Sequence, residues 1–426
     1  MSWGEVPFDA IIADSAFGPR FSGDCYAEDG NVATLRTTDL SPDGSISLDT
    51  MPHAKIDEDK FESHFLQVGD LVISRSGRIG TTALFNGYHK PVLPGAFLIR
   101  FRLDLSRAHP LFFRLYFNSV DGQERLLSVA QGAAQQNINI TNVRKLSVPL
   151  PPLAEQFRIA TVLACYDDLI ATNQRRITLL EDAARRLYRE WFVHLRFPGH
   201  ESVPVKDGMP QGWMRQTLGE LCDSTDGASV QTGPFGSQLH QHDYKDSGTP
   251  VVMPQDIVGD RIRMNKIAYV DEQTANRLAR HRLRPLDIVF PRRGDISKRA
   301  LVEPHQDGFL CGTGCLKISL PLEPLHPLVH YCQLADPDMV KWIEGQAIGA
   351  TMLNLSGAIL RSIECVIPSR DVQARFVTDM QAFRQQIDIL ELQNAGLARA
   401  RDLLLPKLMS GQLDVSGIPL PEELAA

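Results

Sequence analysis

The sequence predicts an α+β protein made of two copies of one unit. Each copy is a mixed globular domain followed by a long helix, and the two helices are expected to pair antiparallel as a coiled coil with approximate two-fold symmetry. Three observations predict this: an internal repeat at a fixed offset, a heptad seam after each copy, and a Pro/Gly-rich linker between the copies.

The repeat carries most of the weight. Asp70 and Asp287 lie 217 residues apart, and the same offset pairs Gly77 with Gly294, Ile79 with Ile296 and Ala83 with Ala300. The register holds without net insertion through Asn137/Asn354, Pro151/Pro368 and Gln156/Gln373, and slips by one upstream, where Phe17-Gly18 meets Phe235-Gly236. Solenoid repeats run to a few tens of residues, so a period this long marks a duplicated domain-plus-helix unit. A covalent dimer of this kind should present two similar but non-identical surfaces.

Bulk composition narrows the class. A length of 426 residues accommodates two to four domains, and 43% hydrophobic with 22% charged residues is ordinary for a globular protein. No run has the apolar length needed to span a bilayer. Met1-Ser2-Trp3-Gly4-Glu5 lacks the basic and apolar stretch of a signal peptide, so a cytoplasmic location without membrane association is expected. The seven cysteines are scattered; Cys311 and Cys315 have no second ligand pair at zinc spacing, so free thiols and no metal site are expected. His240 and His242 read as surface polar residues. The net charge of −7 by itself points away from nucleic acid, whose binders usually show a basic stripe.

Along the chain, residues 1–152 form the first domain, 153–196 a central helix, 197–212 the linker, 213–368 the second domain, 369–412 a distal helix and 413–426 a tail. Val68-Gly-Asp-Leu-Val-Ile-Ser reads as a turn feeding an apolar strand, and Ala96-Phe-Leu-Ile-Arg-Phe-Arg as another. Leu286-Asp-Ile-Val-Phe and Cys315-Leu-Lys-Ile-Ser-Leu are their counterparts. Helices are expected over His109 to Leu127 and Pro327 to Glu344.

The seam of the central helix runs Ile159, Leu163, Tyr166, Ile170, Asn173, Ile177, Leu180, Ala184, Leu187, Trp191 at alternating spacings of four and three. The distal helix repeats it as Phe376, Met380, Phe383, Ile387, Leu390, Asn394, Leu397, Arg401, Leu404, Leu408. Such a pattern packs knobs into holes, and one Asn per seam sets register at a cost in stability. At 1.5 Å per residue the seam makes a rod of about 45–50 Å. Pro151-Pro152 and Pro368 open the helices; Pro198-Gly199 end the first, and Pro406 should kink or stop the second. The helices pair with each other most economically; another protein is the alternative partner.

No catalytic site is legible. There is no Walker A loop, no Rossmann fingerprint and no Asn/Asp-Pro-Pro-Tyr segment of an amino-methyltransferase. Asp70 and Asp287 read as turn residues. A polar, glycine-tipped loop does recur: Ser74-Arg75-Ser-Gly77-Arg78-Ile-Gly-Thr81-Thr82 and Pro291-Arg292-Arg293-Gly294-Asp295-Ile-Ser-Lys298-Arg299. One such loop reads equally as a solvated hairpin tip; two basic versions point to phosphate and guanine contacts. In Gln131-Gly-Ala-Ala-Gln135-Gln136-Asn137 the shared Asn137 (Asn354 in the second copy) is expected to cap the next segment, while Gln135 and Gln136 are candidates to read adenine. Arg20 and Gln238, beside the shared Phe-Gly, complete a DNA-contact set of Arg20, Arg75, Arg78, Thr81, Gln135, Gln136, Gln238, Arg292, Arg293, Lys298 and Arg299.

These features resemble the specificity subunit of type I restriction-modification systems over nearly the whole chain. The resemblance rests on Pro149-Leu-Pro-Pro-Leu-Ala-Glu155-Gln156, Asp167-Asp168-Leu-Ile170, Ala184-Arg-Arg-Leu187-Tyr-Arg-Glu-Trp191-Phe192-Val and Leu403-Leu-Leu-Pro-Lys-Leu-Met-Ser410-Gly411-Gln-Leu413. Gly212-Trp213, Leu218-Gly219-Glu220-Leu221 and the turn at Gly69 fit the family's target-recognition domains. The second copy departs from the helix-entry motif with Val366-Ile-Pro-Ser-Arg-Asp-Val-Gln373. The resemblance implies two target-recognition domains at opposite ends of an antiparallel helix pair, each reading half of a split double-stranded DNA site. It implies docking of two modification subunits, which bring S-adenosylmethionine, and of restriction subunits, which bring ATP, magnesium, translocation and cleavage; no cofactor is expected in this chain. Partners that help clamp the duplex would also reconcile DNA binding with the acidic net charge. A duplicated scaffold without DNA binding, and a self-sufficient restriction enzyme, are the competing readings.

Overall fold

A computed structural model describes residues 3–131, 137–347 and 353–418. It divides into two compact units, Met1–Asn173 with Glu391–Ala426, and Gln174–Leu390.

In the first unit a four-stranded antiparallel sheet has the order Ile12–Phe17, Leu98–Leu103, Leu71–Ser74, Thr82–Leu84. Leu71–Ser74 is buried throughout, as a strand covered on both faces should be. A smaller sheet places Val32–Leu35 between His53–Ala54 and a parallel neighbour, Val92–Pro94. The second unit repeats both. Its larger sheet runs Ser229–Thr232, Cys315–Ser319, Ile288–Pro291, Ala300–Leu301. In its smaller sheet Thr249–Val252 pairs parallel with Leu310–Cys311. The duplication read from scattered identities is thus a duplication of strand order and pairing sense, with the register kept where Leu71 faces Phe101 and Ile288 faces Ile318, and with one further strand, Tyr244–Lys245, in the second unit's smaller sheet.

The expected helices at 109–127 and 327–344 each prove to be two. Pro110–Asn118 is followed by Val120–Ser128, whose N-cap Ser119 accepts a bond from Gly122 N. Pro327–Ala335 is followed by Pro337–Gln346, capped by Asp336. A capping side chain with extended backbone at those positions breaks what hydropathy alone reads as continuous. The turn reading of the repeated aspartates holds. Asp70, 1% exposed, accepts Gln67 N at 2.8 Å and Arg102 Nε at 2.8 Å; Asp287 accepts Arg284 N at 3.0 Å and Lys317 Nζ at 3.3 Å.

The long helices are Leu153–Tyr188 and Arg370–Met409. Within each unit the start of one packs against the end of the other, so the pairing is antiparallel. In the first unit Asp167 meets Arg401 at 2.7 Å, and Asn173 donates to Asn394 Oδ1 at 3.0 Å. Ile159 and Leu163 share a core with Leu408 and Met409. In the second, Ile177 and Leu180 pack on Ile387 and Leu390, and Tyr188 lies edge-on to Phe376. Leu169, Leu179 and Leu392, off the seam, are exposed. The first helix ends in a π turn, Arg189–Val193, which carries Trp191 and Phe192 into the core around Phe376. Pro406 does not stop the second helix, which continues to Met409 because Leu408 and Met409 are buried in the core.

One glutamine per copy fastens the helix start to its domain. Gln156 Oε1 accepts His109 N at 2.8 Å, while its Nε2 donates to the carbonyls of Arg107 and Pro151. Gln373 does the same with His326 N, Pro324 and Pro368, at 2.8, 2.8 and 2.9 Å. Both amides are buried, and each makes bonds through both its oxygen and its nitrogen, which is what buried polar groups require.

Candidate nucleic-acid interface

In the first unit the end of Ile12–Phe17, the end of Leu71–Ser74 and the start of Leu98–Leu103 lie at one end of the sheet. The antiparallel register puts Phe17 opposite Ile99, and Ser74 opposite Leu98. Arg75 leaves this end held on three sides. Its N–H donates to Phe97 O at 2.9 Å, its carbonyl accepts Ile138 N at 3.1 Å, and its guanidinium lies 4.6 Å above the Phe17 ring. Arg75 Nε donates to Asn137 Oδ1 at 3.2 Å. A guanidinium stacked on an aromatic face and pinned through Nε has lost most of its freedom, while its two terminal nitrogens have no partner among the described residues.

The second unit builds the same arrangement with one bond open. Arg292 N donates to Gly314 O at 2.7 Å, Leu355 N donates to Arg292 O at 2.8 Å, and the guanidinium stands 6.0 Å from the Phe235 ring. Here Arg292 Nε and Asn354 Oδ1, the counterparts of the bonded pair in the first unit, are buried without a partner. Phe17 and Phe235, 36% and 55% exposed, bring large apolar rings to these surfaces. The sequence reading selected the arginines but not the Phe and Asn that hold them. The signal was present, since the Arg and Asn recur at the repeat offset and the Phe at one residue more.

The remaining candidates sort clearly. Arg20, Arg78 and Arg293 are exposed, with no side-chain partner among the described residues. Lys298 is exposed and 3.5 Å from Asp295. Gln238 is half-buried; its Oε1 accepts Phe235 N and Arg280 NH2, each at 3.3 Å. Thr81 is 6% exposed and turns its hydroxyl to Arg78 O, and Ser74 Oγ also closes on that carbonyl, so Thr81 shapes the loop from within. Arg299 is likewise 6% exposed. It reaches Ser297 O and Asp260 and stands 5.7 Å from the Tyr331 ring, a structural placement that replaces the expected DNA contact. Gln135 and Gln136 lie outside the described residues. The expected capping by Asn137 and Asn354 is overturned: Asn139 and Ser356, two residues on, cap the short helices that follow.

Charge separates the two tips. Arg78 in the first loop corresponds to Asp295 in the second, where the Ser297 hydroxyl and Lys298 hold the carboxyl below its usual range. Among the described residues there is no group of three metal-ligating side chains, and no helix is long and apolar enough to cross a membrane. All seven cysteines are free; Cys311 is buried, and burial pushes its thiol up to about 12, far from a reactive thiolate.

Comparison with known proteins agrees with the architecture. Residues 12–182 match the family model described as type I restriction modification DNA specificity domain. The MjaIX specificity subunit of Methanocaldococcus jannaschii is 24% identical over 70% of this chain and 68% of its own length. The HindI specificity subunit of Haemophilus influenzae is 21% identical over 71% and 77%. The crystal structure of the type I restriction-modification S subunit from M. genitalium shares the fold, with a TM-score of 0.57 and 17% identity over 95% of this chain and 96% of that one. Taken with the duplicated domains and the paired long helices, these likenesses make the chain similar in sequence and fold to type I restriction-modification specificity subunits.

Proposed function

We propose that this chain is the non-catalytic reader of a type I complex: each unit recognises one half of a bipartite DNA site through the loop end of its larger sheet. The observation that carries this is the Phe–Arg–Asn cluster, built twice on the same backbone bonds but flanked by different side chains. Among the described residues the terminal guanidinium nitrogens of Arg75 and Arg292 have no partner, as a bidentate contact to guanine O6 and N7 requires. Arg78 against Asp295, and Arg20 against Gln238, supply unlike neighbours, so the two half-sites differ in sequence. The long helices offer docking faces to two modification subunits. Those partners contribute S-adenosylmethionine and adenine methylation, and restriction subunits contribute ATP-driven translocation and cleavage.

The test is genome-wide mapping of methylated adenine in cells carrying the complete system with wild-type chain, R75A or R292A. Wild type should return a split motif. Each substitution should relax one half of it, a discrimination of about 1–3 kcal/mol per lost bidentate contact. A motif untouched by both substitutions, or methylation that persists without this chain, refutes the reading.

A further inference from the structure

The second unit carries a basic feature that its duplicate lacks. Residues 277–284 read Arg277-Leu-Ala-Arg280-His281-Arg282-Leu-Arg284. The corresponding stretch of the first copy, Lys60-Phe-Glu-Ser63-His-Phe65-Leu-Gln67, has one cation and one carboxylate. The alignment is structural as well as numerical, because Gln67 N donates to Asp70 and Arg284 N donates to Asp287 in the same turn. Where the second unit has Arg280, Arg282 and Arg284, the first has Ser63, Phe65 and Gln67.

This run borders an open concavity of about 530 Å³, whose lining includes Arg280, Arg282, Arg284, Lys317, Ser229 and Ser319. Its charges are only partly compensated. Arg277 is held by Asp243 at 3.3 Å, Arg282 by Glu272 at 2.8 Å, and the buried Lys317 by Asp287 at 3.3 Å. Among the described residues Arg280 bonds two neutral groups, His281 Nε2 at 3.0 Å and Gln238 Oε1 at 3.3 Å, and burial keeps His281 below the usual histidine range. The Arg284 guanidinium is exposed and has no partner among the described residues. Arg280 and Arg284 thus border a polar concavity that Asp307 also lines, and among the described residues neither guanidinium is paired with a carboxylate. Arg277 and Arg280 also bind Gln238 in the loop that carries Phe235, so the basic run is continuous with the reading loop.

We infer that the Arg280–Arg284 concavity is a phosphate site of the second unit, which grips the DNA backbone beside the half-site that unit reads. Guanidinium groups without carboxylate partners gain most from a phosphodiester, whose oxygens accept paired N–H donors. Such contacts fix register and add affinity without reading sequence. The corresponding stretch of the first copy carries none of these arginines, so the two heads hold DNA by unlike means: base contacts in both, backbone grip concentrated in one. This also places a cationic surface where DNA needs it on a chain whose net charge is −7.

The inference rests on the DNA-reading proposal, and its test separates the two. The full chain, assembled with its modification subunits, is titrated against duplexes with and without the mapped motif at 50–200 mM salt. R280A/R284A should lower the slope of log K against log salt by about 2 relative to wild type, so the variant loses about tenfold less affinity across that range. Affinity for both duplexes should fall by the same factor, and the methylated motif should not change. R284E alone, at an exposed side chain without a partner among the described residues, should weaken both duplexes in the same direction and leave thermal melting unaltered. An unchanged salt slope overturns the phosphate site while sequence-selective binding by wild type leaves the reading proposal standing. A loss confined to the motif-bearing duplex also overturns it, because those arginines would then be reading bases. Absence of selective binding by wild type overturns both.

Discussion

The two units were built from one plan, and the places where they agree differ in kind from the places where they part. They agree where backbone is fastened: Gln156 and Gln373 bind the same three backbone groups, and Arg75 and Arg292 donate and accept through the same neighbours. They part where a side chain reaches solvent or crosses to a helix. The first unit ties domain to helix through Arg114–Asp167, the second through Arg384–Glu303. Arg78 stands against Asp295, and Ser63, Phe65 and Gln67 stand against three arginines. A buried amide with several backbone partners cannot change without stranding them, whereas an exposed tip can change freely.

That contrast can be broken most severely at the glutamines. Q373L strands the His326 N–H and two carbonyls and should cost about 2–4 kcal/mol in urea unfolding. Q156L should cost the same; a gap above about 1 kcal/mol between them would show that the shared geometry is not shared energetics. Next comes His330, which occupies the position of Phe113 in the first copy and which burial pushes down to about 4. A histidine with a depressed folded-state pKa binds fewer protons folded than unfolded, so stability present above pH 6.5 is lost as pH falls from 6.5 to about 4. H330F should make this acid loss shallower by about 1–3 kcal/mol, measured as melting temperature against pH; His109, also pushed down to about 4 by burial, retains its part. The smallest effect belongs to the seam asparagines. N173L alone should cost about 1 kcal/mol by leaving Asn394 without its donor, and N173L/N394L should recover that loss or exceed it, at the expense of a unique register.

Much of this was legible in the sequence, for reasons the structure makes plain. The seam residues Ile159, Leu163, Ile177, Ile387 and Leu390 are buried because a heptad period dictates one face. The duplication was readable because buried turns such as Asp70/Asp287 tolerate little change. Thr81 and Arg299 were misjudged because polarity in a loop does not say which way a side chain turns; both fold back onto protein. Asn137 was misread as a cap because its partner, Arg75, is 62 residues away and only the fold brings them together. Gln156 and Gln373 were visible as a repeated pair, but nothing in their spacing announced three backbone bonds each.

The crosswise make-up of the units has a consequence for synthesis. Residues 174–390 of the second unit are contiguous, so a ribosome that has delivered Leu390 has delivered all of it. The first unit, whose domain precedes the other in the chain, waits for Leu408, Met409 and Val415 to cover Ile159 and Leu163. Of the two domains, the one made first is therefore the last to close, and until Leu408 to Val415 are made its apolar helix start stays uncovered, a substrate for chaperones rather than a finished domain.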